Sequence, residues 1–166
     1  MTTDYAKALR VLAEAEVQFV LIGGVAANLH GSARATFDLD LVYGRQRANI
    51  VKLVKALAVY RPYLRGAPPG LPFQFDEATA RNGLNFTLKS ALGDLDLLGE
   101  VVGGGNYEQL LPHTVEMEAF GVRCKCVTLE RLIQLKRAAG RPKDLEAIAE
   151  LQALLEERRK RLPDRS

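Results

Sequence analysis

The stretch FVLIGGVAANLHGSARATFDLDLVY, residues 19–43, decides how the rest of this chain is interpreted. It opens with an apolar run that is typical of a buried strand, and a glycine pair then leads into small residues that predict a short helix over residues 25–29. A polar loop follows, and the stretch ends in a second apolar strand that carries Asp38 and Asp40. The sequence therefore predicts a strand, a helix and a second strand in close succession.

Asp38 and Asp40 lie two residues apart, and residues at that spacing in a strand point to the same side. Leu39 and Leu41 then face the core, so they anchor the strand while both carboxylates lie on its other face. Two carboxylates this close repel each other and raise each other's pKa unless a cation lies between them. The pair therefore indicates a site for a divalent metal ion.

The spacing of these motifs resembles a known signature. A glycine pair after an apolar strand, then thirteen residues, then Asp-Leu-Asp on a second apolar strand is similar to the motif of the nucleotidyltransferase superfamily, which has the polymerase-beta-like fold. Between the two motifs, Gly31-Ser32 and Arg34-Ala35-Thr36 resemble the branch of bacterial nucleotidyltransferases that includes the AbiEii-type abortive-infection toxins. Either motif alone is weak evidence, whereas both at this spacing are specific.

The resemblance implies an α+β fold, in which a mixed β-sheet is flanked by helices and followed by a C-terminal helical hairpin. A chain of 166 residues is long enough to bury a core of its own. We expect a single nucleotidyltransferase domain over residues 1–166, with a core at about 1–127, the helical hairpin at about 128–157 and a charged tail at 158–166.

The other elements follow from local patterns. We predict two packing helices, at residues 4–15 and 45–60, and two strand pairs, at 85–88 with 94–98 and at 115–119 with 122–127, of which the first pair turns at Gly93. We also predict an irregular proline-rich loop at 61–72 and a flexible glycine turn at 101–106. Thr128 and Gly140 delimit the first helix of the hairpin, and Pro142 begins the second. The sequence does not decide whether the proline-rich loop is a lid or a surface connection.

A third carboxylate is expected from the resemblance, on a strand adjacent to the one with the aspartate pair. Asp96 lies between Leu95 and Leu97 and so has the expected apolar setting. Asp94 lies on the same face and is the alternative, although it is equally compatible with a turn. We therefore predict that Asp38, Asp40 and Asp96 are catalytic and bind metal.

The resemblance also implies a nucleotide site. Gly23, Gly24 and Ser32 would bind the β- and γ-phosphates through backbone N–H and hydroxyl groups, and Arg34 and Lys136 would offset the phosphate charge. The alternative for the glycines is that they only let strand and helix pack closely. The alternative for Lys136 is that it belongs to a solvated basic surface around the loop of the helical hairpin.

On this interpretation the three carboxylates hold two Mg²⁺ ions, because oxygen ligands and a nucleoside triphosphate (NTP) substrate favour Mg²⁺. The protein would be an enzyme that moves a nucleoside monophosphate to a hydroxyl group of RNA, such as tRNA, or of protein. It would then be a candidate toxin of a toxin–antitoxin or phage-defence system, with an antitoxin as partner. The alternatives are transfer to a small molecule, as in antibiotic-modifying nucleotidyltransferases, and a nucleotide-binding module without turnover.

The size of the chain bears on its partners. AbiEii-type toxins carry an extra C-terminal helical region that helps to bind the acceptor, whereas this chain has room for two helices. Either these two helices suffice, or a homo-oligomer or a partner protein supplies the rest.

Composition limits the remaining classes of function. The chain is 48% hydrophobic and 26% charged, with a net charge of +3 and a pI near 8.9, which is compatible with nucleotide or RNA partners but does not establish them. Its first residues lack an apolar signal region, and no apolar run reaches membrane length, so we expect a cytoplasmic protein without membrane contact. Cys124 and Cys126 are interpreted as small buried residues.

Overall fold

The computed structural model describes residues 2–162. Over these residues the helices α1 to α7 are, in chain order, Tyr5–Glu14, Gly23–Leu29, Arg47–Ala58, Glu77–Asn82, Tyr107–Leu110, Leu129–Ala139 and Leu145–Arg161. The strands β1 to β9 are Phe19–Ile22, Asp38–Tyr43, Tyr63–Leu64, Asn85–Ser90, Gly93–Leu98, Glu100–Val101, Gly105–Asn106, Thr114–Ala119 and Val122–Val127. Two 3-10 turns cover Leu111–His113 and Pro142–Asp144. None of the helices described combines the length and apolar character needed to cross a bilayer.

Seven of these strands form one mixed sheet in the order β3-β4-β5-β2-β1-β9-β8. β2 runs antiparallel to β1 and parallel to β5, while β1 runs parallel to β9. All four residues of β1 are buried, as its apolar sequence predicts. Among the helices, α1 contacts α3 and β9, and α2 packs on β1 and β2 and contacts α6. The predicted mixed sheet flanked by helices is confirmed.

The register of β2 and β5 determines which side chains meet. Leu39 and Leu41 of β2 and Leu95 and Leu97 of β5 are almost completely buried on one face of the sheet. The aspartates of both strands therefore lie on the opposite face, because side chains alternate along a strand. Asp38 pairs with Asp94 and Asp40 with Asp96 across the two parallel strands. One patch of the sheet thus carries four carboxylates.

Three local predictions differ from the structure. The first strand pair turns at residues 91–92, and Gly93 already belongs to β5. The 61–72 loop contains the short strand β3, because the Arg65 N–H donates to the carbonyl of Thr87 at 3.0 Å and extends the sheet edge. The glycine turn over 101–106 is a small hairpin of β6 and β7, closed by a hydrogen bond from Gly104 N to Val101 O at 3.0 Å.

The C-terminal hairpin is formed by α6 and α7. Thr128 caps α6 by accepting a hydrogen bond from Arg131 N at 3.2 Å, and Gly140 ends it in the left-handed conformation at φ +65°. The second helix of the hairpin is longer than the predicted bound of about residue 157, since α7 continues to Arg161. Arg158 in this last part of α7 contacts the end of α2, where its Nη2 lies 3.2 Å from Nδ1 of His30. Residues 163–166 of the predicted tail lie outside the described part of the chain.

Cys124 and Cys126 both lie on β9, and both are buried and free. Burial raises the pKa of the Cys124 thiol to about 11 and that of the Cys126 thiol to about 12. Thiols with such high pKa values stay protonated and unreactive at neutral pH. The cysteines are therefore the small buried residues that the sequence predicted.

Candidate metal and nucleotide site

Three carboxylates converge on one face of the central sheet. Asp38 and Asp40 come from β2 and Asp96 from β5, and one ligand oxygen from each lies within 4.8 Å of the others. They meet because parallel strands in register point their paired side chains the same way. The structure thus brings together the three residues that the sequence predicted as metal ligands.

Asp94, the alternative third carboxylate, faces the same side but lies outside this trio. Its side chain is 40% exposed, against 21% for Asp96. Asp94 is also a strand residue rather than a turn residue. The arrangement favours Asp96 as the third ligand.

The electrostatics of the trio are those of a site that needs a cation. Burial, together with the interaction with Asp96 and the charge of Asp38, raises the pKa of Asp40 to about 8. Burial also raises the pKa of Asp38. Oδ1 of Asp40 is buried and has no hydrogen-bond partner, which costs free energy unless a cation binds it. Oxygen-only donors around an unpartnered carboxylate oxygen fit a hard divalent ion such as Mg²⁺.

The glycine pair shapes the floor of the site. Gly23 has φ +69°, and a Cβ there would lie 2.1 Å from Oδ2 of Asp40. A Cβ on Gly24 would lie 2.3 Å from Oγ1 of Thr36. Both residues must therefore be small for the β1–α2 junction to pack against the aspartate strand. The close-packing interpretation is thus supported, and phosphate binding by their backbone stays a prediction.

Lys136 of α6 is brought to the site. It lines a cavity of about 230 Å³, here called the carboxylate cavity, which it shares with Gly23, Asp40 and Asp96. Its Nζ lies 3.9 Å from Oδ1 of Asp144, a carboxylate that is 5% exposed. A buried carboxylate holds a lysine in place by charge, so Asp144 orients Lys136 beside the aspartates.

Ser32 and Arg34 lie in a second cavity of about 170 Å³, here called the helix cavity, which Lys136 also lines. The Ser32 hydroxyl donates a short hydrogen bond to Glu150 of α7. Arg34 Nη2 lies 3.4 Å from Oε2 of Glu146, also on α7. The two groups predicted to bind phosphate are thus already paired with carboxylates. A phosphate bound by Ser32 or Arg34 would therefore compete with Glu150 and Glu146 for these groups.

Sequence reasoning missed Arg65, which follows β3 and reaches across the sheet into the acidic patch. Its Nη2 donates to Oδ1 of Asp96 at 2.7 Å, and its Nη1 lies 3.8 Å from Oδ2 of Asp38. The alternation of polar Tyr63, apolar Leu64 and polar Arg65 was the available signal, but it spans too few residues to identify a strand.

Beyond Asp94, the same face of the sheet becomes basic and aromatic. Register pairs Asp94 with Lys89 of β4, and Lys89 with Tyr63 of β3. The Nζ of Lys89 lies 5.6 Å from the centroid of the Tyr63 ring. These residues and Arg61 line a cavity of about 500 Å³, here called the edge cavity. Asp94 lines this basic, aromatic cavity, whereas Asp40 and Asp96 line the carboxylate cavity next to the C-terminal hairpin.

The raised pKa of Asp40 predicts how stability depends on pH without added metal. The folded protein holds a proton on Asp40 up to about pH 8, whereas the unfolded chain releases it near pH 4. The stabilisation of the protonated form is complete below pH 4 and is lost as pH rises toward 8. In EDTA, we expect the free energy of unfolding to fall by about 1 kcal/mol per pH unit as pH rises from 6.5 to 8.

Urea unfolding over this pH range tests the expectation. Burial lowers the pKa of His30, so His30 changes stability mainly below this range. Ionisation of the two cysteines changes stability mainly above this pH range, because their pKa values are raised. Asp40→Asn is the control and should remove most of the slope, as should an excess of Mg²⁺. An equal slope in wild type and Asp40→Asn would show that Asp40 titrates normally.

Comparisons with known proteins place the fold. Neither a family model nor a curated protein matches the sequence. The lincosamide antibiotic adenylyltransferase LnuA, solved with lincomycin bound, is 17% identical, with a TM-score of 0.60 over 92% of this chain and 98% of that chain. The assigned nucleotidyltransferase TM1012 from Thermotoga maritima is 14% identical, with a TM-score of 0.54 over 92% of this chain and 96% of that chain. The chain therefore has the nucleotidyltransferase fold, while the AbiEii-type branch stays a prediction.

Proposed function

We propose that this protein is a nucleotidyltransferase, which moves a nucleoside monophosphate from an NTP to a hydroxyl acceptor and releases pyrophosphate. The observation that carries the proposal is the trio Asp38, Asp40 and Asp96, whose oxygens lie within 4.8 Å of one another on a nucleotidyltransferase fold. The unpartnered Oδ1 of Asp40 supports it, because a bound cation would satisfy that atom.

The three aspartates would hold Mg²⁺, with two ions in this proposal. When bound, Mg²⁺ neutralises the charge of the triphosphate and lowers the pKa of the acceptor hydroxyl. Asp96 is the base in this proposal, and its carboxylate accepts the proton that the acceptor hydroxyl loses. Asp38 and Asp40 would hold the metal beside Asp96, and because Oδ1 of Asp40 is buried, water screens its attraction to a bound cation only weakly.

The nucleotide would lie toward the C-terminal hairpin. Lys136 lines both the carboxylate cavity and the helix cavity, so its ammonium group is suited to bind the β- or γ-phosphate. Gly23 and Gly24 would let the triphosphate approach the backbone closely. Ser32 and Arg34 would also bind the triphosphate, once its phosphates displace Glu150 and Glu146 from these two residues.

Replacing Lys136 by Ala tests the nucleotide side. A charge-assisted hydrogen bond contributes about 1.5–3 kcal/mol, so we expect kcat/KM for the NTP to fall by about 10- to 100-fold. The fold should persist, because Asp144 keeps its partner Arg141, whose Nε donates to it at 2.7 Å. Arg137→Ala removes an exposed charge from the next position of α6 and is the matched control. An equal loss of kcat/KM in the two variants would show that Lys136 does not bind the nucleotide.

The acceptor would enter through the edge cavity. Arg61 and Lys89 provide positive charge, and Tyr63 provides a ring on which a base can stack. A single strand of RNA combines the phosphates and the bases that such a surface binds. RNA is therefore the acceptor that we propose first, ahead of protein.

A small-molecule acceptor is the second candidate. The observation that favours it is the similarity in fold to LnuA, a lincosamide antibiotic adenylyltransferase solved with lincomycin bound. The basic residues of the edge cavity favour anionic acceptors over a cationic antibiotic.

The experiment that tests the proposal is a transfer assay with Mg²⁺ and each of the four α-labelled NTPs. The acceptors are total tRNA, cell protein, and a panel of lincosamides and aminoglycosides, each with wild type and Asp38→Asn. Label on tRNA that requires Asp38 supports the first proposal, and label on an antibiotic supports the second. Tight NTP binding without transfer to any acceptor would favour a nucleotide-binding module.

The toxin role and its partners belong to the same proposal. A toxin would arrest growth when expressed, and expression of a neighbouring antitoxin gene would relieve the arrest. Its antitoxin, or a second copy of this chain, would complete the acceptor site. We place the protein in the cytoplasm, where buried free cysteines such as Cys124 and Cys126 stay reduced.

A further inference from the structure

Arg65 occupies the centre of the acidic patch. Its Nη2 donates to Asp96 Oδ1 at 2.7 Å and to the carbonyl of Leu88 at 3.0 Å. Its Nη1 lies 3.8 Å from Asp38 Oδ2, and its Nε lies 3.6 Å from Asp94 Oδ1. With 27% of its side chain exposed, Arg65 is partly shielded from water, which strengthens its attraction to the three carboxylates.

The guanidinium and a divalent ion compete for the same atoms. A magnesium ion binds carboxylate oxygens at about 2.1 Å and carries two positive charges, so it repels a guanidinium held on the same ligands. We propose that Arg65 is a positioning residue of the metal site, an internal cation that holds Asp96 and Asp38 and must yield them to the metal. Arg65 thereby sets how tightly the site binds metal. This inference rests on the proposed metal site.

Two further features suit an arginine that exchanges with a metal. Over residues 2–162, the two buried side-chain nitrogen or oxygen atoms without a hydrogen-bond partner are Arg65 Nε and Asp40 Oδ1, and both lie in this cluster. The guanidinium therefore satisfies the carboxylates only in part. Gly66, the next residue, is exposed and has φ +79°, and a Cβ there would meet nothing within 4 Å, so the backbone directly after Arg65 faces water.

A purely structural ion pair makes a different prediction. If Arg65 only stabilised the sheet edge, Arg65→Gln would weaken the fold and leave the intrinsic metal affinity unchanged or lower. If Arg65 competes with the metal, its removal lowers the dissociation constant of the metal even though the fold is weakened. Metal affinity therefore separates the two roles.

The experiment is a Mn²⁺ titration of the full chain, in which free Mn²⁺ is measured by electron paramagnetic resonance. In Arg65→Gln the metal no longer has to displace a cation from Asp96 and Asp38, so the Mn²⁺ dissociation constant should fall at least about tenfold. Arg65→Lys keeps the charge and should stay within about threefold of wild type. Arg10→Gln, which removes an exposed charge elsewhere, should match wild type. Asp40→Asn should bind Mn²⁺ weakly, which would show that the Mn²⁺ bound by wild type occupies this site.

The outcomes separate this inference from the proposed function. Equal Mn²⁺ affinity in wild type and Arg65→Gln, or weaker binding in Arg65→Gln, overturns the role of Arg65 and leaves the metal site in place. Binding to neither protein overturns both. Nuclear magnetic resonance of the arginine Nε–H groups in wild type gives a second test if Arg65→Gln does not fold. There, Mg²⁺ should shift the Arg65 signal, and an unmoved signal in the presence of bound metal overturns the inference.

Discussion

Replacing Asp40 by Asn should lower the rate of nucleotidyl transfer at least about a thousandfold while making the metal-free protein more stable. Transfer is lost because an amide cannot supply the negative charge that holds a divalent ion. Stability rises because Asn removes a buried carboxylate whose pKa is raised to about 8 by burial and by its acidic neighbours. At pH 8 in EDTA, we expect a gain on the order of 2 kcal/mol, since each unit of pKa shift corresponds to about 1.4 kcal/mol and remaining hydration offsets part of it.

The opposite signs of the two effects make this test specific. A residue needed for folding would lose activity and stability together, whereas a residue kept for function loses activity and gains stability. Transfer of label and urea unfolding in EDTA measure the two quantities on one preparation. Leu41→Ala is a useful contrast, because it removes a buried apolar neighbour and should lose about 2–5 kcal/mol of stability. Near-wild-type transfer by Asp40→Asn would exclude Asp40 as a metal ligand.

Gly23→Ala should have the next largest effect, and it should lower both the rate of nucleotidyl transfer and the stability of the fold. The new Cβ would lie 2.1 Å from Asp40 Oδ2, so the carboxylate has to leave its position. We expect a loss of about 2–4 kcal/mol in stability, from the positive φ together with the overlap. A displacement of about 1 Å in a catalytic group lowers rates about a hundredfold, so transfer should fall by at least that factor.

Gly121→Ala separates the two causes of this loss. Gly121 also has a positive φ, +81°, but a Cβ there would meet nothing within 4 Å. It lies in the turn between β8 and β9, and β8 is the edge strand of the sheet on the side opposite to β3. Gly121→Ala should therefore cost about 1 kcal/mol and leave transfer intact. If Gly23→Ala behaved in the same way, Gly23 would have no close contact with the carboxylate.

The aspartate pair could be predicted because its arrangement is local. Alternation along one strand decides that Leu39 and Leu41 are buried and that Asp38 and Asp40 share the other face. The third carboxylate needed the family resemblance. The local sequence favours Asp96 over Asp94 only through its two apolar neighbours, and the register of β5 against β2 is what brings Asp96 into the trio.

The rest of the site depends on contacts between distant parts of the chain. Arg65 is 31 residues from Asp96, and the strand that precedes it, β3, is two residues long, so its position follows from sheet pairing rather than from a sequence pattern. Ser32 is 118 residues from Glu150, and their hydrogen bond exists because α7 packs against the loop that follows α2. Such contacts follow from the assembled fold, which no local periodicity encodes.

The most direct measurement is a crystal structure with Mn²⁺ and a non-hydrolysable NTP, in which anomalous scattering locates the metal. We predict anomalous peaks coordinated by Asp38, Asp40 and Asp96, with the triphosphate running toward Lys136 and Arg65 withdrawn from Asp96. Manganese bound elsewhere, or a nucleotide bound away from the three aspartates, would contradict the account.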